Sequence, residues 1–224
     1  MIRGPELADP ERELSVAHAS RLTQESLATL FAIDERLGGI VARAKEPTIG
    51  LMRLVWWREA LVALDRAPPP AEPLLAAAAQ LRPDNISGAE LAAMVEGWEA
   101  LIDDPDCGPE TLALHGRERG ARLFALAGRV LGYEAEWLAQ AGEGWALVDL
   151  ARHMSEPQRI DAILEAARGP LDFAVGRRWP VPLRPLGMLA VLARRDARRG
   201  AGMLQPPASR GRLLRVMLHQ WTGR

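Results

Sequence analysis

The segment Ala146–Glu156, ALVDLARHMSE, contains the residues that most directly suggest metal-dependent chemistry. Two carboxylates one helical turn apart would point the same way and could hold a divalent cation. Asp149 is instead followed one turn later by His153, and imidazole suits Mg²⁺ poorly. Arg152 lies three residues after Asp149, so an ion pair within the helix is an alternative role for this carboxylate.

The spacing of residues argues against several other kinds of site. No glycine-rich loop follows a strand pattern, as a phosphate loop would require. The histidines have no second His or Cys at ligand spacing, which argues against zinc; they are His18, His115, His153 and His219. The C-terminal segment RGRLLRVMLHQW spreads its apolar residues around most of a helix, which predicts burial. We therefore expect no nucleic-acid partner.

The C-terminal part of the chain is strongly basic, although the whole chain has a formal net charge of −1. Residues 168–224 contain twelve arginines and two acidic residues, Asp172 and Asp196. This asymmetry favours an anionic partner such as a membrane surface, while packing against the acidic remainder of the chain is the alternative. The candidate surface consists of Arg177, Arg178, Arg194, Arg195, Arg198 and Arg199.

The elements that position these residues are all predicted to be helices. Apolar residues recur at helical spacing in nearly every periodic segment, and no strand-length run alternates. Pro47 and the capping box of Ser87 and Glu90 mark helix starts, and the run PPPAEP ends a helix. The pattern predicts an all-α fold with one helical domain over residues 20–224, preceded by an N-terminal extension over residues 1–19.

The segment Glu46–Leu61, EPTIGLMRLVWWREAL, is the most distinctive in the chain. Aromatic packing in the core is the simplest role for its adjacent tryptophans, with one ring inward and the other against a neighbouring helix. At these residues the chain resembles the squalene/phytoene synthase family, whose members carry a closely similar helix. The resemblance continues in the same order from LATLFAIDERLGGI to LRPLGMLAVLARRDARR.

The resemblance implies an all-α bundle of the isoprenoid synthase type around a deep apolar cavity. Members of the family bind Mg²⁺ through two aspartate-rich motifs on facing helices. At the first motif, the acids are replaced by Gly38, Gly39 and Ala42. Asp34 and Glu35 lie about one turn too early and are expected to face elsewhere.

The second motif is half retained. Asp149 matches its first acidic position and Arg152 its arginine, but His153 replaces the second aspartate. The resemblance therefore implies that the metal site is lost and that no cofactor is required. The expected ligand contacts are Arg53, Trp56, Trp145, Asp149 and Arg152.

A branch of the family that has lost its acids comprises complex I assembly factors, and TIGLMRLVWWREAL is especially similar to that branch. The resemblance then implies a non-catalytic role in lipid or isoprenoid binding, or in assembly of respiratory NADH dehydrogenase. The expected partners are a prenyl or lipid ligand, a membrane surface or a respiratory-complex subunit. A single cysteine, an acidic N-terminus and no long apolar run predict a cytoplasmic protein, and the resemblance adds a place at the inner membrane.

Two alternatives remain open. An active Mg²⁺-dependent prenyltransferase joining two prenyl diphosphates head to head would bind metal through Asp34, Glu35 and Asp149. Arg53 or Arg152 would then hold diphosphate. A carrier of prenyl chains or lipids would need only the cavity and no acids.

Overall fold

The computed structural model describes residues 5–224, and all regular elements in that range are helical. The predicted all-α fold is confirmed. The N-terminal half begins with four helices: α1 (Pro10–His18), α2 (Gln24–Arg43), α3 (Pro47–Ala63) and α4 (Pro73–Ala79). Proline opens α1, α3 and α4, where its missing N–H has no helical partner to lose.

Two nearly continuous helical stretches follow. Helices α5 (Gly88–Ala93) and α6 (Val95–Asp103) adjoin at Met94, and the capping box of Ser87 and Glu90 is confirmed at the start of α5. Helix α7 (Pro109–Leu114) runs into a π-helical segment (His115–Ala121) and then α8 (Arg122–Val130). The π-helical segment matters because wider turns of this kind are frequent at functional sites.

The C-terminal half consists of four further helices: α9 (Trp137–Arg152), α10 (Pro157–Val175), α11 (Arg184–Arg199) and α12 (Arg210–Thr222). Helix α9 lies in the middle, where it packs against the π-helical segment, α8, α10 and α11. Its closest approach is made at Gly142, where an added Cβ would lie 2.1 Å from the Gly120 carbonyl oxygen. The two glycines allow these backbones to touch.

The two terminal helices pack against the rest of the described chain. The extension expected over residues 1–19 stays a prediction: residues 1–4 lie outside the described range, and α1 packs against α2 and α11. The sequence also predicts a buried α12, but only Arg212, Val216 and His219 are buried on it. Its other large apolar residues face outward, so the prediction of burial is wrong. Over residues 5–224, no helix combines the length and the apolar character needed to cross a membrane.

Candidate functional site

Two carboxylates from distant parts of the chain converge at the centre of the helical body. Asp34 on α2 is fully buried, and Asp149 on α9 has 11% of its side chain exposed. The expectation that Asp34 faces away from the centre is wrong, because α2 is buried on all sides from Leu27 to Asp34. Asp34 lies one turn before Gly38 on the same side of α2, and its side chain points inward.

Arg119 binds both carboxylates from the π-helical segment. Its Nε donates to Asp34 Oδ1 at 2.8 Å, and its Nη2 donates to Asp34 Oδ2 at 2.9 Å. Nη2 also donates to Asp149 Oδ2. The bidentate geometry of Arg119 and Asp34 makes a strong charge-assisted ion pair. Gly97 on α6 allows the backbone of Arg119 to pack closely against it, since an added Cβ would lie 2.7 Å from the backbone nitrogen of Arg119.

Arg12 reaches the same two carboxylates from α1. Its Nη1 donates to Asp34 Oδ2 at 3.0 Å, and its Nη2 donates to Asp149 Oδ2 at 3.3 Å. Glu35 fixes the start of α1 by accepting hydrogen bonds from the backbone amides of Ala8 and Asp9. The N-terminal segment thus supplies a cation that neutralises the centre.

Aromatic rings enclose the four charged groups. Trp98 Nε1 donates to Asp34 Oδ1 at 3.1 Å, and the Arg119 guanidinium lies 4.0 Å from the centre of the Trp98 ring. Trp145 lies 5.0 Å from the Arg12 guanidinium and 5.1 Å from that of Arg119. These contacts add cation–π attraction and exclude water from the ion pairs.

Burial and ion pairing change the pKa values of Asp34 and Asp149 in opposite directions. Burial alone would raise the pKa of Asp34 and of Asp149. Attraction to Arg119 and Arg12 outweighs burial, so the pKa of each carboxyl lies below its ordinary value. The same attraction raises the pKa of both guanidinium groups. All four groups are therefore charged.

His115 completes the cluster as a neutral imidazole. Its Nδ1 lies 2.6 Å from the Gly97 carbonyl oxygen, and its Nε2 lies 3.1 Å from Arg119 Nη1. Nδ1 therefore carries the proton, and Nε2 accepts a hydrogen bond from the guanidinium. Burial and the neighbouring Arg119 lower the pKa of His115 to about 4.

The arrangement does not fit a magnesium ion. A cation between Asp34 and Asp149 would meet two guanidinium groups that already balance both carboxylates. Mg²⁺ requires oxygen ligands with negative charge to spare. Within the described range, no group of three or more His, Cys, Asp or Glu side chains is arranged to hold a metal ion.

Gly38, Gly39 and Ala42, the positions where the resemblance implies acids in other members of the family, have different surroundings. Gly38 faces Trp98, and an added Cβ would lie 2.7 Å from the end of that ring. Gly39 lies beside Arg43 on the outer side of α2, and Ala42 is exposed. Gly38 is thus the position that admits Trp98, the hydrogen-bond donor to Asp34.

The ion pair between Asp149 and Arg152, which their spacing offers as an alternative, is not formed. Arg152 does not bind Asp149; it donates to Asp196 Oδ2 and to the Gln205 carbonyl oxygen. His153 is exposed, and its Nδ1 lies 2.8 Å from the Asp149 carbonyl oxygen. The pair within the helix is absent here because Asp149 turns toward Arg119 and Arg12, while Arg152 turns toward α11.

The expected ligand contacts fall in separate places. Trp145 and Asp149 lie in the central cluster, whereas Arg53 and Trp56 line a groove of about 260 Å³ between α2 and α3. Trp57 is buried, and Trp56 stands edge-on to it with 48% of its surface exposed. Arg36 and Arg43 also line the groove.

The six arginines expected to form one surface are partly engaged within the chain. Arg194 and Arg198 both pair with Asp172 of α10. Arg195 donates to the Gly211 carbonyl oxygen at 2.7 Å. The Arg177 guanidinium stacks 4.3 Å from the centre of the Phe173 ring. Arg178 and Arg199 are exposed.

Sequence spacing gives no indication of Arg12, Trp98, His115 or Arg119, because each is far along the chain from Asp34. One signal is available: Asp34 directly follows the apolar run LFAI, and a carboxylate buried there requires a cation. It does not say which of the arginines supplies that cation.

Comparison of the chain with protein-family models, with curated proteins and with solved structures finds no match.

Proposed function

We propose that the protein is a non-catalytic relative of the squalene/phytoene synthases that acts by binding, in the assembly of a respiratory complex or in holding an isoprenoid or lipid. The observation that carries this proposal is the neutralisation of Asp34 and Asp149 by Arg119 and Arg12. Synthase chemistry of this type ionises an allylic diphosphate, and magnesium must then stabilise the departing anion. Carboxylates bound to two arginines are poorly suited to holding that metal.

The assembly role is favoured over a ligand carrier. The centre is filled by the side chains of Arg12, Trp98, Arg119 and Trp145, where a carrier would need space for an apolar chain. An exposed apolar face runs along α3 instead, and it comprises Ile49, Met52, Val55, Trp56 and Val62. Apolar surface of this kind is typical of contacts with other proteins.

A second candidate function has one observation in its favour. An active prenyltransferase needs Asp34, Glu35 and Asp149 near one another, and all three lie within 4 Å of Arg12. Withdrawal of α1 would remove one of the two cations from these acids. Arg119 would still bind Asp34 and Asp149, which is why we favour the non-catalytic role.

Turnover of farnesyl and geranylgeranyl diphosphate by the purified chain with Mg²⁺ separates the two functions. We expect no release of diphosphate above the rate without protein, either from the natural chain or from Asp149→Ala. Turnover by the natural chain that is lost in Asp149→Ala would contradict the proposal and establish the transferase.

The assembly role has its own test in the source organism. Deleting the gene should lower the amount of assembled NADH dehydrogenase on native gels, and the natural gene should restore it. The variant Trp56→Glu should fail to restore it, because the change charges the exposed face of α3. An unchanged amount after deletion would rule out the assembly role without affecting the conclusion on catalysis.

A further inference from the structure

Helix α12 is attached to the body along one narrow stripe. Arg212 donates to Asp196 on α11 and to Glu11 on α1. Val216 packs with Met188 and Leu192 of α11. His219 is fully buried one turn later. These contacts fix which side of α12 faces the body, so its opposite side is presented outward in a defined orientation.

The outward side of α12 is apolar from Leu213 to Trp221, and the exposed Arg210 precedes it. The exposed large apolar residues follow helical spacing and consist of Leu213, Leu214, Met217, Leu218 and Trp221. Met217 is 66% exposed, and Trp221 is 86% exposed. At 100° per residue, the five side chains cover about 140° of the helix circumference. A stripe of large apolar side chains left in water is unfavourable unless something covers it.

Helix α12 itself carries positive charge, and the nearest acid of α1, Glu11, is paired with its Arg212. No acidic residue follows Asp196 in the sequence, while Arg210, Arg215 and Arg224 lie on or next to α12. Burial lowers the pKa of Arg195, and repulsion by nearby arginines, Arg215 among them, lowers it further. The geometry agrees, since Arg195 of α11 donates to the Gly211 carbonyl oxygen of α12 at 2.7 Å. Arginines of α11 and α12 therefore lie near one another, which favours a surface of opposite charge.

We propose that α12 is a membrane-docking helix that lies flat on an anionic lipid surface. Its apolar stripe enters the boundary between headgroups and acyl chains, and its flanking arginines bind the anionic headgroups. Trp221 suits the interfacial level, where tryptophan is enriched in membrane proteins. The proposal is independent of the proposed function, since docking requires neither catalysis nor an assembly partner.

Charge argues for lipid over a second copy of the chain. In a two-fold dimer through α12, the same surface meets itself. The interface would then contain the arginines of α12 from both copies, Arg210 and Arg215 among them, with no acidic residue on either helix to offset them. Anionic lipid covers the apolar stripe and neutralises the arginines at the same time.

The test is flotation of the purified full chain with vesicles of phosphatidylcholine, with and without phosphatidylglycerol. We expect binding to the anionic vesicles, weakened by salt. Met217→Glu should lower the partition coefficient about tenfold or more, because it places a charge in the apolar stripe. Arg215→Gln should lower it about fivefold, as expected for loss of one cation near an anionic surface.

Met52→Glu is the matched control, because Met52 is 68% exposed on α3 and the change adds the same charge. It should bind vesicles as the natural chain does. Circular dichroism of each variant checks that the helices are retained. The proposal would be overturned by absence of binding, by equal binding to both lipid compositions, or by equal effects of the two methionine variants.

Brominated lipids locate the docking face directly. Quenching of tryptophan fluorescence should fall sharply in Trp221→Phe and persist in Trp56→Phe. Quenching lost only in Trp56→Phe would assign docking to α3 and contradict the proposal. Sedimentation without lipid completes the test: a dimer that Met217→Glu dissociates, together with no vesicle binding, would assign the stripe to a second copy.

Discussion

At the scale of single residues, Asp34 depends entirely on the partners that surround it. Replacing Asp34 with Ala leaves Arg119 and Arg12 buried with less compensating charge. We expect the free energy of unfolding to fall by about 3–5 kcal/mol, as is usual when one partner of a buried pair is removed. Urea unfolding measures this decrease in the free energy of unfolding, and Asp172→Ala is the control.

Asp172 also binds two arginines, but its side chain is 42% exposed. Its removal should cost less than about 1 kcal/mol, because water screens exposed pairs. Similar losses in Asp34→Ala and Asp172→Ala would show that the central ion pairs contribute no more than surface pairs do.

The buried imidazole of His115 predicts a loss of stability in acid. The pKa of His115 is about 4 in the folded chain, against about 6.5 when unfolded, so only the unfolded chain takes up the proton between these values. Its contribution to stability is fully present above pH 6.5 and is lost as the pH falls toward 4, on the order of 3 kcal/mol.

Unfolding free energies measured from pH 7 to pH 4 check this expectation. His115→Gln should show a smaller decrease than the natural chain, whereas His18→Gln should show the same decrease, since His18 is exposed. An identical decrease in His115→Gln would contradict the assignment. His219, whose pKa burial also lowers to about 4, contributes in the same direction.

Prediction at this scale is limited to one residue and its neighbours along the helix. The sequence selects Asp149 as a carboxylate of interest, and its role stays a prediction; the structure places Asp149 beside Arg119 and Arg12, which the sequence does not indicate. Arg12 lies 137 positions away from it and Arg119 lies 30 away. Helical spacing describes only neighbours a few residues apart, so ion pairs between distant helices leave no pattern in the sequence.

At the scale of elements, the crossing of α9 with the π-helical segment controls the position of Arg119. Gly142→Ala would place a methyl group 2.1 Å from the Gly120 carbonyl oxygen and force the helices apart. We expect a loss of stability of about 1–3 kcal/mol or more, as in other overpacked cores. Gly39→Ala is the control.

At Gly39, the nearest atom to an added Cβ is the flexible end of Arg43, at 3.3 Å. Because Ala favours the helix over Gly, Gly39→Ala should stabilise the chain by about 0.5–1 kcal/mol. Thermal melting compares the two variants. Equal effects would mean that the crossing is loose enough to accept a methyl group.

Element boundaries were largely predictable, whereas exposure was not. Prolines and the capping box located the starts of α3 and α5, because these signals act on the local backbone. Periodicity could not distinguish a buried α12 from an exposed one. Apolar residues cover most of its circumference, and only the packing of α11 against Val216 shows which side is inward.

At the scale of the whole molecule, a second set of ion pairs joins the terminal helices α1 and α12 to α11. Arg212 of α12 joins Glu11 of α1 to Asp196 of α11, and Arg152 of α9 also binds Asp196. Residues from both ends of the chain therefore stabilise one structure. The sequence shows no such connection, since Glu11 and Arg212 are 201 positions apart.

Removing residues 1–19 tests how much the contacts of α1 stabilise the fold. The shortened chain loses both Arg12 and Glu11, and we expect its free energy of unfolding to fall by at least about 3–5 kcal/mol. Arg12→Ala in the full chain separates the central ion pairs from the remaining contacts of α1. A shortened chain as stable as the full one would contradict this expectation and support the prediction that these residues are an extension.

The central claim is that arginines hold Asp34 and Asp149 and that these carboxylates do not bind metal. Titration calorimetry of Mg²⁺ into the natural chain, with farnesyl diphosphate present, tests that claim most directly. We predict no saturable Mg²⁺-dependent binding, either in the natural chain or in Asp149→Ala. Saturable binding in the natural chain that disappears in Asp149→Ala would show that the carboxylates hold a metal, and would contradict the account.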